Sequence, residues 1–480
     1  MLVVGAGSAG SIVAERLSAD PGCTVMVLEA GPGLDDPTLF GRTADGLVLP
    51  IGDGSPLVRR YRTTLTDRPE RGFEIVRGAT IGGSGAVNGG YFCRALPRDF
   101  DGLGLDGLGL DDLGVAGWAW RDVLEHYCAI ETDLDFGGPA HGRSGPIRVR
   151  RTREISSATE NFIEAADGIG FPWIRDFNDV GLESVSGVGA VPLNIVDGVR
   201  TGPGAAFLLP ALGRPNLMVR TRTRATRLRF SGEVAVGVDA MGPDGPLTVG
   251  ADRVVLCAGA IETAHLLMLS GVGDEAMLRA VGVPVLVPAP VGMACTDHPE
   301  WLLPTTRSAV PGRPVLEAVL TIAGDIEIRP YTTGFAAMTG NPIGAGPDRP
   351  HIGVALMQPR SRGRISLVSP DPNVAPLIEH RYDSEPLDLA ALRAGVDVAR
   401  ELSGAGLHGD PQWSTSQHLC GSVPMGSGPR AVVDEKCRVR GLDGLWVIDG
   451  SVLPRPTSRG PHATIAMLAH RAAEFVALSS

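Results

Sequence analysis

Short, unbroken apolar runs punctuate the chain. Leu2-Val3-Val4 opens it, and Val25 to Leu28 follows after a helical stretch that reaches about Leu17. Runs of this length read as strands buried on both faces, so the N-terminus predicts strand–helix–strand. The pattern returns at Val254 to Ala258, which runs into a turn and an apolar helix at 259–273, and at Leu445 to Ile448, which ends on Asp449. Between residues 220 and 229 arginine alternates with Thr, Ala and Leu at strand spacing, which predicts a strand with one solvated face. Asp101 to Gly114 is a short, locally repetitive loop, and no longer repeat runs through the chain.

The first strand ends on Gly5-Ala6-Gly7-Ser8-Ala9-Gly10, a GxGxxG placed between a strand and a helix, and the second strand ends on Glu29. Each glycine has a physical task. Gly5 allows the tight turn, Gly7 lets backbone approach a pyrophosphate, and Gly10 lets the helix pack on the sheet. The helix start at Ser8 offers N–H donors to phosphate, and Glu29 can accept hydrogen bonds from ribose hydroxyls. A dinucleotide is expected; NAD and FAD both use this unit.

Composition narrows the classes. A chain of 480 residues exceeds one ordinary core, so two or three connected domains are expected. A net charge of −11 argues against a nucleic-acid partner, since phosphate binding needs concentrated positive charge. Seven scattered cysteines without a CxxC point to a reduced, cytoplasmic chain with no metal centre and no disulfide framework. The nucleotide pattern begins at once, which leaves no room for a signal peptide, and no apolar run is long enough to span a bilayer. Peripheral contact with the inner face of a membrane stays open.

Residues 77–101, RGATIGGSGAVNGGYFCRALPRDFD, resemble the first motif of the glucose–methanol–choline (GMC) flavoenzymes, with Gly82, Gly83, Ser84 and Asn88 in matching places. GAIETAHLLMLSGVG (259–273) is similar to the second motif, and further similar blocks run to about residue 475, among them HLCGSVPMG (418–426) and GLWVIDGSVLP (444–454). The resemblance implies an α/β fold in which a Rossmann-like FAD domain, from 1–145, 195–300 and 420–480, interleaves with an α+β substrate domain on an antiparallel sheet, from 146–194 and 301–419. It implies FAD as cofactor, with Ala225 at the adenine, Asp449 near the ribityl chain or pyrophosphate, and His462 and Ala463 against the flavin. Val87 stands where some members carry a histidine bonded to FAD, so non-covalent FAD is expected. The stretch of about 95–130 resembles the family's lid.

The implied reaction is alcohol oxidation by hydride transfer to flavin N5, with His418 as general base. The family's second catalytic position falls on Gly460, a departure that leaves two readings: His462 fills the place, or His418 works alone. Oxidation of choline or another alcohol, an FAD-containing lyase, an NAD-dependent dehydrogenase and an idle flavin-binding protein are the competing readings. The wording of the first motif resembles the subgroup associated with the redox cofactor mycofactocin. That implies reduced mycofactocin as substrate and a respiratory electron acceptor.

Overall fold

The apolar runs assemble side by side. In the computed structural model the five-stranded parallel sheet has the order Leu217–Arg220, Val25–Leu28, Leu2–Val4, Val254–Leu256, Leu445–Val447. The structure describes all residues except 35, 102–114, 180–185, 324, 335, 337, 339–347, 408 and 479–480. Most of the repetitive loop, and with it the middle of the expected lid, lies outside the described residues. Helices Ser8–Ser18 and His462–Leu478 pack on each other beside this sheet. A three-stranded meander, Arg224–Ser231, Val234–Gly242 and Gly245–Gly250, joins the same core through Leu228, Val238 and Ala240.

The arginine-rich stretch is not one strand. Leu217–Arg220 ends in the parallel sheet, Arg222 turns at φ 51°, and Arg224 starts the meander. The turn is tied down by Arg222 N–H to the Gly31 carbonyl and Thr223 N–H to the Glu29 carbonyl, each 2.8 Å. It thereby brings Ala225 to the nucleotide motif.

The second body is a six-stranded antiparallel sheet in the order Gln412–Thr415, Pro299–Pro304, Pro350–Leu356, Ile326–Gly334, Ala318–Ile322, Gly187–Ala190. Helices Pro386–Ser403 and Ser157–Gly168 cover one face through Leu392, Val396, Phe162 and Ala166. Side chains alternate across a strand, so Ile326 and Ile328 join that apolar core while Glu327, Arg329 and Tyr331 lie on the opposite face. A hairpin, Val58–Asp67 with Glu70–Gly78, brings Val76 and Arg77 beside the end of strand Gln412–Thr415, where the Val76 N–H donates to Gln417 Oε1 at 2.7 Å.

Trp118 is buried in the main core, and Trp120 packs on Phe100 and Tyr127. All seven cysteines are free thiols. Among the described residues no helix is long and apolar enough to cross a membrane. Glu131, Asp133 and His141 sit close enough to hold an ion, but their charges are already matched. Arg94 reaches Glu131 at 2.5 Å, Arg151 bridges Asp133 and Asp176 at 2.5 Å each, and His141 lies 3.2 Å from Asp133 and 3.0 Å from Asp176. Hydrogen bonding to Asp133 and Asp176 lifts His141 to about 9, so it is a cation in this cluster.

Candidate active site

One cavity of about 450 Å³ runs from the glycine-rich turn to the antiparallel sheet. Of the residues singled out in the sequence, Gly5, Gly7, Ser8, Glu29, Gly83, Ser84, Asn88, Ala225, Asp449, His418 and His462 border it. Gly10, Gly82 and Ala463 do not. Gly10 is pressed against the Gly5 carbonyl, where no side chain fits. Gly82 borders a smaller neighbouring pocket, and Ala463 is fully buried behind the cavity wall.

The nucleotide end is made largely of backbone. Gly5 has φ +98°, and a carbon added there would lie 2.6 Å from the Cys257 carbonyl oxygen; one added at Gly83, φ +54°, would lie 2.8 Å from the Gly7 Cα. Two glycine turns thus interlock with no room between them, exposing peptide groups to whatever occupies the cavity. Glu29 holds the first turn: its oxygens accept from the Ala6 and Gly31 N–H groups, each at 2.9 Å. Burial raises its carboxyl to about 7, against the lowering effect of those N–H donors. Asp449 accepts from Gly259 N–H at 2.9 Å, Thr263 hydroxyl at 2.6 Å and Ser451 N–H at 2.8 Å. It therefore caps a short helical turn and ties two strand ends together, both beside the cavity.

His462 opens the last helix on the same wall. Asn88 Oδ1 accepts from the Gly90 N–H at 2.9 Å, which turns its amide nitrogen toward His462 Nδ1 at 3.1 Å. Nδ1 is then an acceptor and Nε2 carries the proton. Nε2 is buried with no partner among the described residues, and burial lowers the ring's pKa to about 4, so it is a neutral, unused donor. An orphaned donor, interlocked glycine turns and a helix start in one elongated cavity fit a dinucleotide whose ring end can accept a hydrogen bond.

His418 stands at the other end. Its backbone N–H donates to Asp297 at 2.6 Å, and its Nδ1 meets His298 Nδ1 at 2.8 Å. The second nitrogen of His298 faces the Thr457 carbonyl at 3.0 Å, and a carbonyl can only accept. That orders the chain: His298 Nε2–H donates to Thr457, His418 Nδ1–H donates to His298, and His418 Nε2 keeps a lone pair on the ring edge that borders the cavity. Burial lowers His298 to about 4 and His418 well below the usual histidine value, so both are neutral near pH 7. Asp297 is buried as well, yet the His380 side chain and the Arg77 guanidinium bring its carboxyl down to about 2.

The sheet wall opposite is polar, buried and charge-matched. Arg329 donates to Glu327 at 2.7 Å and to Ser416 at 2.7 Å, and lies 3.5 Å from Glu300. Tyr331 donates to Glu300 at 2.7 Å and Tyr91 to Glu327 at 2.8 Å. Sequence reading missed His298 and this whole set. Residues 290–300, PVGMACTDHPE, contain His298 and Glu300, but nothing in their pattern says that these two side chains meet His418 and Arg329.

A family model described as GMC oxidoreductase matches residues 1–300, and a second with that description matches 359–469. An uncharacterized GMC-type oxidoreductase of Rhodococcus erythropolis is 42% identical, over 99% of this chain and 97% of its own. An oxygen-dependent choline dehydrogenase of Paraburkholderia xenovorans is 32% identical over 99% of this chain and 93% of its own. The crystal structure of pyridoxine 4-oxidase from Mesorbium loti superposes with a TM-score of 0.87 at 29% identity, covering 98% of each chain.

Proposed function

Because the chain belongs to the GMC oxidoreductase family, flavoproteins that bind FAD and oxidise CH–OH groups, we propose that it oxidises an alcohol held between His418 and the flavin, with His418 as the general base. The observation that carries this reading is the chain of contacts from the Thr457 carbonyl through His298 to His418, from which the order of protons follows. His418 presents a lone pair, and only a lone pair can take the hydroxyl proton. FAD, when bound, supplies the acceptor for the carbinol hydride. His418 Nε2 removes the proton as the O–H bond breaks, and neutral His298 and ionised Asp297 lie where the new positive charge forms. His462 has the opposite character, a buried donor in the cavity wall, and holds the flavin rather than the substrate.

The glycine turns, Glu29, Ala225, Asp449 and the segments around them form the FAD-binding domain (1–145, 195–300, 420–480), and 146–194 with 301–419 form the substrate domain. Val87 offers no nucleophile, so FAD is held non-covalently. Reduced mycofactocin is the candidate substrate suggested by GAVNGGYFCRALPRDFD, with a respiratory acceptor and a cytoplasmic site. Choline and pyridoxine, named for relatives, are the comparison substrates. The test is anaerobic mixing of the flavoprotein with a panel of these alcohols and reduced mycofactocin. Bleaching of the flavin by one of them supports the reading; product formation with the flavin left oxidised would establish a lyase instead.

A further inference from the structure

Position 460 has no side chain, and its backbone gives no reason for one to be missing, since Gly460 is not among the residues at positive φ. The reason is space. A carbon built on Gly460 would lie 2.8 Å from Cδ1 and 3.0 Å from Cε1 of Tyr91, and 3.6 Å from Cε1 of His418. The three nearest atoms belong to Tyr91 and His418, and none to His462. The Tyr91 ring therefore lies on Gly460 beside the imidazole of His418, and it borders the same cavity.

The ring is held in place from its far end. Tyr91 donates its hydroxyl proton to Glu327 at 2.8 Å, Glu327 is held by Arg329 at 2.7 Å, and Arg459 stands 3.9 Å away. Glu327, Arg329 and Arg459 are nearly or fully withdrawn from water and Tyr91 is half-buried, with burial raising the phenol well above the usual tyrosine value. Its proton is thus committed, and the phenol is neither a base nor a free donor.

We propose that Tyr91 replaces the missing side chain at position 460. It is a positioning residue whose ring confines the alcohol against His418 and leaves the site with one base. This rests on the reading of His418 given above. It makes positions 91 and 460 a coupled pair: one can carry bulk only if the other does not. It also assigns the work to the ring and not to the hydroxyl.

The experiment is a double-mutant cycle on the FAD-loaded enzyme: Gly460→Asn, Tyr91→Ala, Tyr91→Phe and Tyr91→Ala/Gly460→Asn. FAD content, Tm and anaerobic flavin reduction across pH are read for each, with the alcohol that bleaches the wild type. Gly460→Asn should lower Tm and slow reduction by about 10²-fold, the usual cost of a misplaced reacting group. Tyr91→Ala should slow reduction comparably with FAD retained. The double variant should recover most of the loss in both readouts, because contacting residues are non-additive. Tyr91→Phe should stay within about tenfold, the worth of one hydrogen bond, and leave the shape of the pH profile as in the wild type. Tolerance of Gly460→Asn with Tyr91 in place, strict additivity in Tm, or a Tyr91→Phe as damaged as Tyr91→Ala would each overturn the proposal. If no alcohol bleaches the wild type, the oxidation reading fails, and the Tm cycle still decides whether 91 and 460 share one space.

Discussion

The two ends of the cavity are built by different means. At the nucleotide end, peptide groups do the work: glycine turns interlock, Glu29 and Asp449 spend their oxygens on backbone N–H groups, and His462 adds one orphaned donor. At the sheet end, side chains do it. Glu300, Glu327, Arg329, Tyr331 and Tyr91 hold one another by direct hydrogen bonds and ion pairs, and His298 orients His418. A backbone site tolerates almost no added atoms, whereas a side-chain site can be retuned one residue at a time. The two histidines show the contrast most sharply, since their proton placements are opposite.

That contrast can be broken most directly at His418. His418→Ala should retain FAD and slow flavin reduction by about 10²–10⁴-fold, the usual contribution of a positioned base. Near-normal reduction in rapid mixing would remove the mechanism. The next largest effect belongs to the sheet wall. Arg329→Met leaves Glu327 buried with its main partner gone, and loss of one member of a buried pair costs about 3–5 kcal/mol in chemical denaturation. Adding Glu327→Gln should restore much of that, because the uncompensated charge goes with it. Denaturation curves that do not distinguish the single from the double variant would show that charge matching is not what holds this wall.

His462→Ala sharpens the comparison from the nucleotide side. It removes a donor and no base, so reduction should fall by only about tenfold, the scale of one hydrogen bond, while FAD affinity or the flavin spectrum shifts. A loss as severe as that of His418→Ala, with no further loss in the double variant, would instead make the histidines one catalytic unit. The smallest effect concerns a cluster that does not border the cavity. His141 is raised from 6.5 to about 9 by its carboxylate partners, so its contribution to stability is complete below pH 6.5 and is lost as pH rises through about 9. Tm followed from about pH 6 to about 10 should fall more steeply for the wild type than for His141→Gln. Parallel curves would show that His141 is not charged in the folded state.

Much was legible in the chain because it depends on local rules. Buried strands have to be apolar runs, a phosphate turn has to be glycine, and the distances from Gly5 to Glu29 are set within one strand–helix–strand unit. His418 and Asp449 were readable through resemblance, since each sits inside a compact block. The 220–229 stretch shows the limit: its alternation predicted a strand correctly, but two strands of different sheets share it, and the break at Arg222 is made by hydrogen bonds to Gly31 and Glu29. Strand Ile326–Gly334 shows a deeper one. Its alternating polar positions read equally well as a face in water, and only the second body closing over the first makes Glu327 and Arg329 buried partners. The pairings of His298 with His418 and of Tyr91 with Gly460 span more than a hundred positions in sequence. No local pattern encodes such contacts, because they arise only when packing fixes which side chains must share one space and which polar groups are cut off from water.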